Sequence, residues 1–320
     1  MNRLLQRARP LAGIVVLAAI YAAAAIRYHD RGFLSWIVAV NLASDAAVLG
    51  IAAVGLTFVV IAGGIDLSVG AVMGLASIVL ASLLATGHWP LPLALLAVLA
   101  LGAAFGAAQG ALIHATGLRP FIVTLGGLFI ARGLAFVVHL EPLAIHDASH
   151  AALGSTAIVG SVRIPVSALA FGATTAVGAL VLRRTLLGRM VCAVGGDPDA
   201  ARLMGVPVGR VTVAAYAVSG ACAALAGIVL TLYLSSGSHL EGVGLELDAV
   251  AAVVIGGTLL RGGTGTIWGT AIGALVLTLV NTIVTTYEGS FSSGTTKVAT
   301  AALLLAFVVG SGRAAPGSRT

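Results

Sequence analysis

Apolar runs long enough to cross a lipid bilayer fill most of this 320-residue sequence, and only short polar stretches separate them. A membrane-spanning helix needs about 20 apolar residues and must satisfy its own backbone hydrogen bonds. The mean hydropathy of +1.10 is typical of a polytopic membrane protein. The runs cover residues 11–26, 36–61, 67–85, 91–115, 121–139, 164–182, 212–235, 247–260, 266–287 and 295–311. We therefore predict an all-α membrane bundle of about ten transmembrane helices.

One run and two glycine-rich breaks predict interrupted helices within this bundle. The run at 247–260 is too short to cross the bilayer as a straight helix, because each residue adds only about 1.5 Å, so we expect a half-helix there. The breaks at 63–70 and 256–265 each follow a segment rich in Val and Ile and restart with Gly at every fourth position. That spacing favours close helix packing, and the likeness of the two breaks hints at an internal duplication.

The basic residues are distributed unevenly between the two sides of the predicted bundle. If the amino terminus is cytoplasmic, that side holds Arg3, Arg7, Arg9, Arg119, Arg183, Arg184, Arg189, Arg202, Arg210, Arg261, Arg313 and Arg319. The opposite side holds Arg27, Arg31, Arg163 and Lys297. Because cytoplasmic loops carry an excess of basic residues, this distribution predicts that both termini are cytoplasmic. It also accounts for the net charge of +6 without a nucleic-acid partner.

The predicted organisation is a single membrane domain at 11–311, between a cytoplasmic amino-terminal segment at 1–10 and a disordered cytoplasmic tail at 312–320. The first apolar run has a second interpretation. Three arginines precede it, and the small residues Ala22 to Ala25 lie near its end. A cleaved secretory signal peptide has the same pattern, so both alternatives stay open for this run.

The segment from Gly188 to Arg210 is the longest one too polar to lie in lipid, and the charge distribution places it in the cytoplasm. Its centre carries the signals of a short helix. Asp197 is a suitable N-cap, Pro198 suits the first helical position, and Gly205 supplies a left-handed stop. Asp199 adds favourable negative charge to the first turn.

This predicted helix is too short to be stable alone in water, because helix nucleation is costly. Ala200, Leu203 and Met204 fall at helical spacing and form one small apolar face. We expect that face to pack either against the membrane helices of the same chain or into a groove of another protein. The second alternative would make it a docking helix for a motor.

The sequence shows no pattern for a catalytic or cofactor site. A phosphate-binding loop needs Lys followed by Ser or Thr after a Gly-rich turn, but the single lysine, Lys297, precedes Val298. His146 and His150 have no further zinc-ligand spacing around them. Ser219 has no histidine in a plausible partner helix, as intramembrane proteolysis would require. We therefore expect a chain that is not an enzyme and binds neither metal nor cofactor.

Three ionisable residues, Asp45, Asp66 and Arg132, fall inside the predicted spans, where a charge is costly and needs a reason. Asp45 and Arg132 would lie about 12 to 15 Å below the outer face, so we expect them to pair, either to fix helix packing or to line a transport path. Asp66 is placed to cap a restarting helix at the amide of Ser68 or Val69. In a second interpretation, the three ionisable residues relay ions in a secondary transporter.

Other polar residues divide between the two halves of the bundle. Asn41, Glu246, Asp248 and Asn281 fall in the outer half, whereas Gln109 and Asp66, with its neighbour Ser68, fall towards the cytoplasm. These groups can satisfy the hydroxyls of a carbohydrate handed in from outside, or they can bond one helix to another.

Four stretches of the sequence resemble the membrane permease subunits of ribose-type ABC sugar importers. They are LGIAAVGLTFVVIAGGIDLSVGAVMG from Leu49, RPFIVTLGGLFIARGLAFVV from Arg119, GRMVCAVGGDPDAARLMGV from Gly188 and GVGLELDAVAAVVIGGTLLRGGTGTIWGT from Gly242. They cover most of residues 40–310. Within the family, the segments SFSSGTTKVAT and LEGVGLELDAVAAVVIGGTLL look most like a galactofuranose permease.

The resemblance implies the fold of a type II ABC importer permease in the bacterial inner membrane, with a monosaccharide such as galactofuranose or ribose as substrate. It implies that a separate ATPase uses ATP and Mg²⁺ and grips a coupling loop at 183–211. The coupling residues would be Asp197, Pro198, Asp199, Ala200, Ala201, Arg202, Leu203, Met204 and Gly205. A periplasmic sugar-binding protein and a second permease subunit, identical or paralogous, would complete the importer within the membrane lipid.

Two features depart from the family pattern. Asp197 stands where many relatives have Asn, which keeps the capping role but adds a charge. The segment from Glu141 to Arg163 matches no family pattern, although a binding protein would dock on that side. A structural membrane scaffold is a further alternative, in which the apolar face of the short helix would play no part in transport.

Overall fold

The computed structural model describes residues 3–159 and 162–287, and helices account for most of them. The first helices are α1 (Arg3–Arg27), α2 (Trp36–Asp45), α3 (Ala47–Ile61), α4 (Val69–Ala85), α5 (Leu91–Thr116), α6 (Pro120–Val138) and α7 (Ala148–Gly154). The chain continues with α8 (Val166–Arg184), α9 (Leu186–Gly196), α10 (Pro198–Leu203), α11 (Val208–Leu234), α12 (Leu245–Ile255) and α13 (Ile267–Thr282). A 3₁₀ turn lies at His29–Arg31, and a π-helical turn at Ile283–Tyr287 extends α13. The predicted all-α class is confirmed.

Short strands join the connections at one end of the helices. β1 (Leu143–Ala144) pairs antiparallel with β4 (Ser236–Gly237), and β2 (Thr156–Val159) forms a hairpin with β3 (Val162–Pro165). The amide of Ile145 also donates to the carbonyl oxygen of Ser235 at 2.9 Å. The segment between α6 and α8 is therefore tied to the segment that follows α11.

Five helices in the described part of the chain are long and apolar enough to cross a membrane. They are Leu91–Thr116, Pro120–Val138, Val166–Arg184, Val208–Leu234 and Ile267–Thr286. A sixth candidate is the pair α2 and α3, which is bent by 50° and interrupts the predicted run at 36–61. The predicted half-helix is α12, which has 11 residues. The predicted run at 295–311 and the tail at 312–320 lie outside the described residues.

Helix α3 lies at the centre of the bundle. Every residue from Gly50 to Ile61 is buried, as expected for a helix that is apolar on all sides. Helices α8, α11, α12 and α13 all pack against it. Because α3 is covered by protein on every side, the remaining helices form the surface that meets lipid or partner chains.

Helices α5 and α11 approach each other through their main chains. Gly102 faces Gly220, Gly106 faces the carbonyl group of Tyr216, and Gly110 faces Val213. A Cβ atom on Gly106 would overlap the carbonyl oxygen of Tyr216. In lipid, such close approach replaces the hydrophobic effect as the main source of helix association. This four-residue glycine spacing in α5 was not predicted from the sequence.

The two glycine-rich breaks end their preceding helices in the same way. After α3, the amide of Gly63 donates to Val60 O at 3.0 Å and that of Gly64 donates to Val59 O at 2.9 Å. After α12, the amides of Gly257 and Thr258 donate to Val254 O and Val253 O in the same pattern, at 2.9 and 3.2 Å. Gly63 and Gly257 both have a left-handed backbone, with φ of +86° and +85°. Both ends are Schellman motifs, which agrees with an internal duplication.

The predicted close packing at the restarting helices is confirmed. Gly70 and Gly74 lie against the main chain of Gly242 and Glu241. On the other restart, Gly269 lies against Gly256, and Gly273 lies against Ala252.

Replacement of Gly106 by Ala should destabilise the bundle, because the new methyl group must push α5 away from α11. We expect a loss of about 1–3 kcal/mol, which is usual for overpacking, measured as a lower melting temperature of the purified protein in detergent. Gly126→Ala in α6 is the matched control, since its Cβ atom would meet nothing within 4 Å. Equal melting temperatures for the two variants would show that the α5–α11 contact is not tight.

Candidate functional site

The polar connector predicted at 188–210 consists of two helices rather than one helix in a loop. α9 occupies its first part and is partly embedded, since Gly188, Val191 and Val194 are buried. α9 was not predicted from the sequence, although Thr185 caps it by accepting a hydrogen bond from the amide of Gly188 at 3.3 Å. Only Asp197 separates α9 from α10, so the two helices meet at a tight corner.

The predicted caps of the short helix α10 are confirmed. Asp197 Oδ1 accepts hydrogen bonds from the amides of Asp199 and Ala200, each at 3.0 Å. Pro198 occupies the first helical position. At the other end, Gly205 has a φ of +80°, and the amide of Val206 donates to the carbonyl oxygen of Ala201 at 3.0 Å. Local sequence alone therefore determines where this helix begins and ends.

The apolar face predicted for α10 points away from the bundle. Ala201 is fully buried and anchors the helix, whereas Ala200 is exposed and Leu203 and Met204 are 90% and 72% exposed. Arg202 and Asp199 form an ion pair of 2.9 Å on the surface. Of the two alternatives for this face, packing against the chain's own helices is wrong in this structure.

A cavity of about 670 Å³ lies beside α10, between the end of α5 and the start of α11. Its lining combines basic and apolar residues. The basic ones are His114, Arg202 and Arg210, and the apolar ones include Ala111, Val206, Val208, Val213 and Ala214. Together with Leu203 and Met204, this groove forms a surface suited to an apolar, acidic partner.

Asp66 lies in a buried polar cluster at the first helix break, and its side chain is only 1% exposed. Its Oδ1 accepts from the Ser68 amide at 2.9 Å and from the Ser68 hydroxyl at 2.7 Å, and its Oδ2 accepts from the Ser219 hydroxyl at 2.8 Å. Gln109 Nε2 donates to Ser68 Oγ at 2.9 Å. The expected bond from the Ser68 amide to Asp66 is confirmed, but the expected capping of a helix that starts at Leu67 is wrong, since α4 begins at Val69 and its N-cap residue is Ser68.

The same break is bonded to two further helices through the carbonyl group of Ile65. This oxygen accepts from Tyr216 of α11 at 3.3 Å and from Thr124 of α6 at 3.2 Å. The extended segment between α3 and α4 is therefore held by α5, α6 and α11 at once. Its partners come from distant parts of the chain, so no local signal in the sequence identified them.

The predicted pair of Asp45 and Arg132 is wrong. The Nη1 atom of Arg132 donates instead to the carbonyl oxygens of His239 and Glu241, at 2.5 and 2.6 Å. The ring of Phe136, one turn further along α6, lies 4.1 Å from that of His239. Arg132 thus holds the segment before α12 against α6, and its charge faces the main chain rather than a carboxylate of α2.

Asp45 is exposed and lies near the first turn of α8 and the last turn of α11. It lines a cavity of about 230 Å³ that also contains Asn41, Ser44, Ser167 and Tyr233. Ser44 and Ser167 join α2 to α8 by a hydrogen bond of 2.6 Å between their hydroxyl groups. α2 and α3 are bent by 50° and do not form one straight helix, and the depth expected for Asp45 in the membrane stays a prediction.

The remaining predicted polar residues are not part of either cluster. Asp248 lies in the first turn of α12 and is exposed. Asn281 lies in the last turn of α13 and is exposed, and its carbonyl oxygen accepts from Thr285 at 2.8 Å. The structure therefore groups Asn41 with Asp45 and Asp66 with Ser68, and it leaves Arg132, Asp248 and Asn281 at separate positions.

Comparison with known proteins identifies the class of this bundle. Residues 38–309 match the family described as branched-chain amino acid transport system / permease component. The chain belongs to this permease family. No solved structure matches it.

The permease has several relatives with similarity over most of its length. It is 42% identical over 299 residues to the inner membrane ABC transporter permease protein YjfF of Escherichia coli (strain K12), covering 92% of this chain and 88% of the relative. The fructose import permease protein FruG of Bifidobacterium longum is 35% identical over 290 residues, covering 88% and 83%. The ribose import permease protein RbsC of Escherichia coli (strain K12) is 39% identical over 243 residues, covering 75% of each chain.

Replacement of Asp66 by Ala should destabilise the permease strongly, because three buried hydrogen bonds from Ser68 and Ser219 lose their acceptor. We expect a loss of about 3 kcal/mol, read as a lower melting temperature in detergent. Asp45→Ala is the control, since that carboxylate is exposed at the cavity beside α8 and α11. If the two variants have the same melting temperature, Asp66 has no structural role and a transport role gains support.

His150 should make the connection between α6 and α8 sensitive to acid. Its imidazole is buried and lies 3.1 Å from the Thr231 hydroxyl. Burial lowers the pKa of His150 below its ordinary value of 6.5, and the charge of Asp147 opposes this only in part. A lowered pKa means that the unfolded state binds the proton better. The stabilisation is therefore complete above pH 6.5 and is lost as the pH falls below it.

We expect the melting temperature of the permease to fall between pH 7 and pH 5, and we expect the His150→Gln variant to lose part of that pH dependence. An identical pH dependence in the variant would contradict a contribution from His150.

Proposed function

We propose that this permease is the transmembrane subunit of an ATP-driven importer that carries a monosaccharide across the bacterial inner membrane. The observation that supports this most directly is α10, a helix capped at both ends that holds Leu203 and Met204 out of its own bundle. Relatives named as ribose and fructose import permeases support a sugar as cargo. The cargo we propose is ribose, galactofuranose or a similar monosaccharide.

The surface around α10 is the proposed docking site for a separate ATPase. Leu203 and Met204 supply apolar anchors, and the adjacent basic groove suits acidic groups on the partner. In this proposal ATP and Mg²⁺ act only on the ATPase. For transport, each nucleotide state of the ATPase must bind one position of α10 more tightly than the other. Only such a difference in affinity can shift a conformational equilibrium.

The distribution of charged residues and the exposed surface of α6 support three further proposals, on orientation and on partners. The termini and the α9–α10 corner are proposed to be cytoplasmic. The opposite face, with α7 and the β1–β4 pair, is the proposed docking surface for a periplasmic sugar-binding protein. A second permease subunit, identical or paralogous, and membrane lipid are the proposed partners of the exposed apolar side of α6, where Phe129 and Val137 are 67% and 83% exposed.

Ion-coupled secondary transport is the alternative, with Asp45, Asp66 and Arg132 as the relay. The geometry of these residues weighs against it. Asp66 accepts three hydrogen bonds, Arg132 donates to two carbonyl oxygens, and Asp45 lies at a separate cavity. A relay needs groups that can exchange protons or ions in sequence, and these three are separated from one another.

The docking proposal is tested with the double variant Leu203→Glu and Met204→Glu, in cells that also express a cognate ATPase and a sugar-binding protein. We expect capture of the ATPase from membranes to fall by about tenfold or more, because the anchors of an interface dominate its affinity. Uptake of labelled D-ribose, D-fructose and D-galactose should fall with it. Leu118→Glu, at another cytoplasmic connection, is the control.

Normal uptake by the double variant, with no ATPase captured in any sample, would overturn the importer and favour ion-coupled transport. Normal uptake with the ATPase still captured would overturn only the role of α10.

A further inference from the structure

Three main-chain segments that are far apart in the sequence meet beside the corner between α9 and α10, with no side chain between them. They are the end of α9 at Gly195, the first break at Ile61 to Gly63, and the second break at Gly262 and Gly263. The amide of Gly263 donates to the carbonyl oxygen of Ile61 at 2.8 Å, so the two breaks are bonded directly. We call the contact of Gly63, Gly195, Gly262 and Gly263 the glycine junction.

The glycine junction leaves no room for a Cβ atom at its centre. A Cβ on Gly195 would overlap the carbonyl oxygen of Ile61 and lie 2.7 Å from the amide nitrogen of Gly263. A Cβ on Gly262 would lie 2.7 Å from Gly195 O and 2.9 Å from the Cα atom of Gly63. Gly262 also has a left-handed backbone, with a φ of +83°. The three segments are therefore in direct main-chain contact.

The position of Gly195 connects this contact to α10. Gly195 is in the last turn of α9, and α10 begins at Pro198, after Gly196 and Asp197 alone. Asp197 caps α10 through its side chain, so the corner is short and well bonded at its second helix. A displacement of α10 is therefore passed to Gly195 through only two intervening residues, Gly196 and Asp197.

Both breaks lead from the glycine junction into the interior of the bundle. The first continues to Asp66, which is bonded to Ser68 and Ser219, and so reaches α5 and α11. The second lies between the half-helix α12 and α13. A shift of Gly195 thus acts on both interrupted helices at once.

We propose that the glycine junction transmits the movement of α10 to the two helix breaks, and that Gly195 is the positioning residue of this contact. The inference rests on the proposed function, since it needs an ATPase to move α10. Main-chain atoms in contact cannot change rotamer to absorb a shift, and packed contacts of this kind switch between discrete arrangements instead of deforming continuously. Side chains at these positions would weaken the coupling or hold the segments apart.

The test compares Gly195→Ala with Gly196→Ala in the assembled importer with its ATPase and binding protein. Gly196 is adjacent to Gly195 on the same helix, but a Cβ atom there would meet nothing within 4 Å. We expect Gly195→Ala to capture the ATPase as the wild type does, while sugar uptake and its stimulation of ATP hydrolysis fall by about tenfold. Gly196→Ala should keep both within about twofold of the wild type.

Equal uptake by the two alanine variants would overturn the role of the junction while leaving the importer itself intact. If the wild-type complex neither captures the ATPase nor imports any of D-ribose, D-fructose and D-galactose, the proposed function fails and this inference fails with it.

A measurement on the unmodified importer covers the case in which Gly195→Ala does not fold. Amide hydrogen exchange is compared between the nucleotide-free complex and the complex trapped with ATP and vanadate. We expect residues 61–68 and 256–266 to change exchange together with residues 186–204, because the junction joins them. A change confined to 186–204 would overturn the proposal.

Discussion

Backbone groups that are left free at a broken helix must find partners within the protein, because the bilayer interior supplies no water. This requirement shapes both interruptions of the bundle. Each preceding helix ends in the same pair of glycine-dependent backbone bonds, after α3 and after α12. The restarts differ, since Asp66 serves the first one and the hydroxyl of Thr266 accepts from Gly269 at 3.1 Å in the second. Matching helix ends with different restarts agree with an internal duplication, which stays a prediction.

Association of the helices depends on close main-chain contact at glycine residues. Glycine allows α5 to touch α11, α4 to touch the segment before α12, and α12 to touch α13. Since lipid is as apolar as leucine, burial of large side chains drives association weakly in a membrane, and close main-chain contact takes its place. Many of the glycines in the described part of the chain therefore serve as packing surface between helices.

Features encoded by neighbouring residues were predictable from the sequence. The caps of α10, the half-helix α12 and the bond from Asp66 to Ser68 depend on residues a few positions apart. The bend between α2 and α3 was not predictable, because it occurs at Ala46, with neither Pro nor Gly to mark it. The contacts of Ser219, Tyr216 and Thr124 with the first break depend on how whole helices pack. The helix α9 was overlooked because Gly188, Gly195 and Gly196 fall within it, and glycine has a low helix propensity.

The way Arg132 holds the segment before α12 bears on how such a protein evolves. Its guanidinium group binds main-chain oxygens of His239 and Glu241, and every amino acid supplies such an oxygen. The side chain of Glu241 can therefore change without removal of this anchor, whereas His239 is buried and its ring packs against Phe136. The position that must keep its side chain for these two bonds lies on α6, and the segment across from it contributes only its backbone.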